Sequence, residues 1–149
     1  MSKLTLDQAT RIIDMALETG AKMKLRPLTV AVLDDGGHLK AFKRQDGPGA
    51  PLRPYVAMGK AWGAVGMGFH SRELEVRAKD RPHFMTALVA ASAGRIIPVA
   101  GGVLIKDKNG DTLGAVGVSG DTSDNDEACA IAGIKAAGLV SDPATPVSA

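Results

Sequence analysis

Apolar positions change their period several times along the chain, and each change marks an element. Ala9, Ile12, Ile13, Ala16 and Leu17 recur at helical spacing. Ahead of them "TLDQ" sets the hydroxyl of Thr5 three residues before the amide of Gln8, the pattern of a capping box, and Gly20 is the expected stop. "LTVAVL", Leu28–Leu33, is β-branched and apolar at successive positions, as a strand covered on both faces must be. "DDGG", Asp34–Gly37, tolerates positive φ and predicts a hairpin turn. "HLKAFKR" is the return strand, with His38, Lys40, Phe42 and Arg44 on one face.

"QDGPGAPLRP" carries three prolines and two glycines and predicts a loop. "YVAMGKAWGAVGMG" reads as a helix in which Gly59, Gly63 and Gly66 recur at spacings of four and three. Such a bare face lets another backbone, a partner helix or a flat ligand approach closely. "SRELEVRAKD", capped at Ser71, predicts a short charged helix, and "HFMTALVAASAG" one more. A second hairpin follows, Gly101–Lys106 and Thr112–Ser119, turning at "KNGD". The last helix is expected over Ser123–Ala137 with Ser123 or Asp124 as cap, and Ala128, Ile131, Ala132 and Ile134 on its buried side. Residues 1–140 are expected to form one domain, and 141–149, "SDPATPVSA", a flexible tail.

Composition narrows the class. The 149 residues are 45% hydrophobic and 3% aromatic, so the core is aliphatic, and stacking platforms for single-stranded nucleic acid are not expected. The net charge of +2 hides clusters at Lys22, Lys24 and Arg26 and at Lys40, Lys43 and Arg44. Neither is interleaved with aromatics, so both read as solvated faces and no nucleic-acid partner is expected. The single cysteine, Cys129, rules out an internal disulfide and a multi-cysteine zinc site. His38, His70 and His83 show no metal-ligand spacing, so no metal site is expected. The start "MSKLTLDQAT" lacks the apolar core of a signal peptide, and no apolar run approaches the roughly 18 residues of a membrane span. A cytoplasmic protein without membrane attachment is the expectation.

The stretch "GAVGVSGDTSDNDE", Gly114–Glu127, poses the sharpest question. It has neither the Walker nor the dinucleotide-binding glycine spacing, and it leaves a hairpin rather than a parallel strand. Asp121, Asp124, Asp126 and Glu127 suit a helix N-terminus but would repel a phosphate there. Two readings stay open: a glycine-thinned strand crossed closely by a helix, or a ligand pocket lined by bare backbone.

"PVAGGVLIKDKNGDTLGAVGVSGDTSDNDEACAIAGI" resembles the signature of the GlcG/HbpS-like haem-binding domains, also found as the C-terminal part of PduO-type proteins. Upstream, "VAVLDDGGHLKAFKRQDG" matches that family's motif at Asp34, Gly37, Leu39, Arg44 and Asp46, and "GKA" at Gly59–Ala61 fits its central helix. The resemblance departs from the pattern at Trp62 and Leu104. It implies an antiparallel sheet flanked by helices, assembly into homo-oligomers and, for some members, haem as the bound cofactor. The expected fold class is thus α/β in the α+β sense. About five antiparallel strands, built from two hairpins, are flanked by helices in a profilin- or PAS-like layering.

Chemistry concentrates on a few side chains. Lys60 lies in an otherwise small and apolar helix, where a buried amine needs a carboxylate or ligand partner. Asp126 could pair with it as an internal salt bridge. In the functional reading, Arg44, Asp46 and Lys60 bind a carboxylate-bearing ligand, with Gly101, Gly102, Gly117 and Ser119 supplying backbone groups. Lys60, Asp126 and His70 would equally serve proton transfer in a cofactor-independent isomerase or lyase acting on a small oxo- or hydroxy-acid. Met58 and Met67 are further haem-ligand candidates.

Overall fold

Helix α1 (Leu6–Lys22) begins where the capping box places it. Thr5 Oγ1 accepts the Gln8 N–H at 3.1 Å, and Gln8 Oε1 accepts the Thr5 N–H at 3.0 Å. Gly20 does not stop the helix: it is buried, and a Cβ there would lie 2.6 Å from Leu28 Cδ1. The computed structural model describes residues 3–147.

The first hairpin is β1 (Thr29–Asp34) and β2 (Leu39–Arg44). Three helices follow: α2 (Arg53–Met67), α3 (Ser71–Asp80) and α4 (Pro82–Ala91). The second hairpin is β3 (Gly102–Lys106) and β4 (Thr112–Ser119), followed by α5 (Ser123–Ala136) and a short β5 (Val140–Asp142). One antiparallel sheet results, in the order β2-β1-β4-β3-β5. The α+β class and the two hairpins are thereby realised. Among the described residues no helix is long and apolar enough to cross a membrane.

The sheet separates two helical layers. Val30, Val32, Val103, Ile105, Val116 and Val118 pack with Ile12, Ile13 and Ala16 of α1 and Ile131 and Ile134 of α5. The alternate positions Leu33, Leu104 and Ala115 meet Ala61 and Ala64 of α2. Burial on both faces explains the unbroken apolar run of β1.

Several boundaries differ from the sequence reading. Helix α2 starts at Arg53, because Pro54 is tolerated in a first turn, where its missing N–H costs no hydrogen bond. Thr122, not Ser123 or Asp124, caps α5 by accepting the Asn125 N–H. His70 occupies the N-cap of α3, while Ser71 Oγ accepts the Gly102 N–H at 2.7 Å and ties α3 to β3. Ser141 and Asp142, expected in the tail, pair with Ile105 and Leu104. A three-residue strand carries no periodicity of its own; it forms because the edge of β3 is open to it.

A bulge has the largest consequence for function. Val32 pairs with Ala41 but Leu33 with Leu39, so Lys40 is the extra residue. Regular alternation would put Leu39 on the α1 side with Ala41. The bulge puts it opposite Leu33, on the α2 side with Phe42 and Arg44.

Candidate functional site

The glycines of β3 and β4 lie beneath α2. A Cβ on Gly117 would stand 1.9 Å from the Ala57 carbonyl oxygen, and one on Gly102 would stand 2.2 Å from that of Lys60. Both contacts are with backbone, so no rotamer change relieves them. Gly101, at φ +124°, passes over the Lys60 ammonium, which a Cβ would approach to 2.8 Å. Gly101, Gly102 and Gly117 therefore do gather at Lys60 and its helix, but as packing against it, whereas Ser119 lines a separate cavity with Arg53 and Asp121.

Lys60 reaches past the end of β4. Its Nζ donates to the Val118 carbonyl at 2.9 Å and to Asp126 Oδ2 at 3.0 Å, with only 3% and 2% of the two side chains exposed. Asp126 Oδ1 accepts the Asp121 N–H at 3.0 Å. Burial pushes the Asp126 carboxyl up, and the Lys60 charge with the Asp121 N–H opposes that rise. The next carboxylate, Glu127, is held by Arg72 Nε at 3.0 Å, while Arg72 Nη2 donates to Asp124 Oδ1 at 2.5 Å. The acidic start of α5 is thus matched by cations from α2 and α3.

The other candidates lie apart from this pair. Arg44 and Asp46 are exposed and line a shallow depression with Ala21, Leu25, Pro27 and Gln45. His70 Nδ1 is buried without a hydrogen-bond partner. Met67 packs against the cluster of Leu74, Met85 and Ile96. Among the described residues, no group of three His, Cys, Asp or Glu side chains could hold a metal ion.

An open groove runs between β2 and α2. One part, about 270 Å³, is lined by Leu33, Leu39, Tyr55, Met58, Trp62 and Arg95, with Gly37, Gly59 and Gly94. The next, about 410 Å³, shares Leu39, Tyr55 and Met58 and adds Phe42, Arg44, Pro51 and Pro54. Tyr55 is 66% exposed and Leu39 54%. The Arg95 guanidinium carbon sits 4.3 Å from the centroid of the Trp62 ring. Gly37 leaves room for that indole, since a Cβ there would stand 2.9 Å from Trp62 Nε1.

Of the sequence candidates, Arg44 and Met58 reach this groove, whereas Lys60, Asp126 and Ser119 do not. Tyr55, Trp62 and Arg95 escaped the sequence reading. A usable signal was scarcity: Phe42, Tyr55 and Trp62 are three of the chain's five aromatic residues. Arg95 comes from a loop, and nothing local links it to Trp62.

Comparison with known proteins agrees with this architecture. The family "Haem degrading protein HbpS-like" matches residues 4–135. Protein GlcG of Escherichia coli (strain K12) is 34% identical over 117 residues, covering 78% of this chain and 81% of the relative. A double mutant of Streptomyces reticuli HbpS superposes with a TM-score of 0.77 at 31% identity, over 91% of this chain and 87% of that one. The crystal structure of a PduOC:heme complex gives a TM-score of 0.82 at 22% identity, over 93% and 97%, a likeness of fold.

Proposed function

The chain belongs to the HbpS-like family, and from that membership we propose that it binds a flat, apolar, carboxylate-bearing small molecule, haem foremost, in the groove between β2 and α2. The observation that carries this reading is the solvent-facing wall of Phe42, Tyr55 and Trp62 with Leu39 and Met58, flanked by Arg44 and Arg95. An apolar recess with a few convergent polar groups is the usual form of a small-molecule site. That a similar fold was crystallised with haem adds support.

The donor set fits haem. Tyr55 offers a phenol and Met58 a thioether, both side chains of the kinds that ligate haem iron, and the two guanidiniums suit its carboxylates. Bound haem would supply a redox-active iron. The chain's part is to hold the macrocycle's faces against apolar walls, to pair its acid groups and to limit water at the Trp62 side.

Hemin titration, followed by Soret absorbance and by quenching of the single tryptophan, tests the proposal. Saturable change at micromolar hemin is expected, with weaker binding in Tyr55→Ala, Trp62→Leu and Arg95→Ala. An unchanged spectrum would overturn it.

The rival reading, proton transfer by Lys60, Asp126 and His70, has less support. The first two are sealed from solvent and engage each other, and His70 lines neither part of the groove. Self-association is proposed through α4, whose Phe84, Ala87, Ala90 and Ala91 are apolar and exposed. Light scattering that reads a single 15.3 kDa chain would overturn it.

A further inference from the structure

A second cavity, of about 270 Å³, opens on the other side of the first turn of α2. It is lined by Arg26, Pro48, Gly49, Ala50, Arg53, Ser119, Gly120 and Asp121. Its charge is unbalanced. Arg53 donates from Nη1 to the Pro27 carbonyl and from Nη2 to that of Pro48 at 3.1 Å, while its Nε is buried without a partner. Among the described residues no carboxylate pairs with it. Peptide carbonyls fix the guanidinium in place but leave its charge and several of its donors unanswered.

Asp121, the acid of this cavity, is committed to its own turn. Its Oδ1 accepts the Thr122 N–H at 2.9 Å and Asn125 Nδ2 at 2.8 Å, and its Oδ2 accepts the Arg26 N–H at 3.0 Å. The Arg26 side chain stands 3.6 Å from that Oδ2 and is 71% exposed, free to swing toward a ligand. Two guanidiniums therefore face one carboxylate, an excess of one positive charge. Ser119 Oγ lines the same cavity and has no hydrogen-bond partner among the described residues.

We propose that this cavity is a binding site for a small monocarboxylate, held by Arg53 and Arg26 with Ser119 Oγ as a third donor. Planar guanidinium forks match a carboxylate's two oxygens. A single excess charge is neutralised by a monoanion, whereas a phosphate dianion would be left facing Asp121. Gly49 keeps the loop against Arg53, since a Cβ there would overlap the guanidinium. The site is separate from the groove and does not rest on the haem reading.

Acetate is the probe, titrated calorimetrically into the full chain at constant ionic strength with chloride as the balancing anion. Saturable one-to-one binding is expected, weakened about tenfold by Arg26→Gln and by Ser119→Ala, changes that leave the fold's buried contacts intact. Arg53→Lys keeps the charge but not the fork and should weaken binding at least as much. No saturable heat with the wild type overturns the site, as does binding that all three variants retain. Inorganic phosphate binding as tightly as acetate overturns the choice of ligand. Hemin should leave acetate affinity unchanged, and competition between them would overturn a separate site. A failed hemin titration with intact acetate binding would leave this site standing and remove only the groove proposal.

Discussion

Lys60 and Asp126 connect the two helical layers around the end of β4, Nζ to Oδ2 at 3.0 Å, with both side chains sealed from solvent. Only their neighbours make this possible. The bare strands let α2 settle close enough for the ammonium to reach the first turn of α5. The result is that α2 and α5 are tied together at the end of β4, while the open groove lies apart from this pair, between α2 and β2.

Removing one partner leaves the other charge buried. Lys60→Ala is expected to cost about 3–5 kcal/mol, and Lys60→Met with Asp126→Asn to recover much of that. Urea denaturation of the two variants checks it. Hemin affinity of the double variant should stay near that of the wild type, because neither residue lines the groove.

Gly117→Ala sets a methyl against the Ala57 carbonyl, where only movement of α2 or β4 can relieve the overlap. A loss of about 3 kcal/mol is expected, at the upper end of overpacking penalties. The mutation Gly110→Ala is a contrast. A Cβ added there would meet no atom within 4 Å, so only the strain of φ +88° remains, and the loss should be about 1 kcal/mol. Denaturant midpoints for the pair separate crowding from backbone strain.

Asp121 sets an acid limit. Hydrogen bonds from Asn125, Thr122 and Arg26 bring its carboxyl down from 3.8 to about 2. A depressed acid stabilises the fold fully above its unfolded value and loses that contribution as pH falls through the folded one. Stability should therefore drop between about pH 4 and pH 2, by about 2 kcal/mol from this group. Asp121→Asn should flatten that limb, measured by denaturation at pH 5 and pH 2.5.

Burial pushes the Cys129 thiol up to about 12, with the Asp126 and Asp121 carboxylates adding to the rise. Since the thiolate is the reactive form, a disulfide reagent at pH 8 should leave the native thiol unmodified. The same thiol should react fully in urea. Rapid modification of the native protein would contradict the packing of α5 on α1.

Much of the fold was legible in the sequence because its cues are local. Thr5 and Gln8 announce α1, "DDGG" and "KNGD" announce the hairpins, and the two-sided apolar run of Leu28–Leu33 announces a covered strand. The family motif was legible as well, and so was the pairing of Lys60 with Asp126 as one of two alternatives. A lysine in a small, apolar helix must find a carboxylate somewhere, and the acidic start of α5 is the densest cluster of them in the chain.

The tertiary structure decided what those cues could not. A sequence does not state which side of a glycine strand is covered, so "GAVGVSG" alone fits both a pocket floor and a packing surface, and the close approach of α2 to Gly117 makes it the latter. Register decided the groove: one extra residue at Lys40 carries Leu39 across the sheet to join Phe42, Tyr55 and Trp62. Pairings such as Arg95 on Trp62, Arg53 on the Pro27 carbonyl and β5 on β3 depend on distances between separate segments. Such distances are set by the packing of whole layers, and no local pattern encodes them.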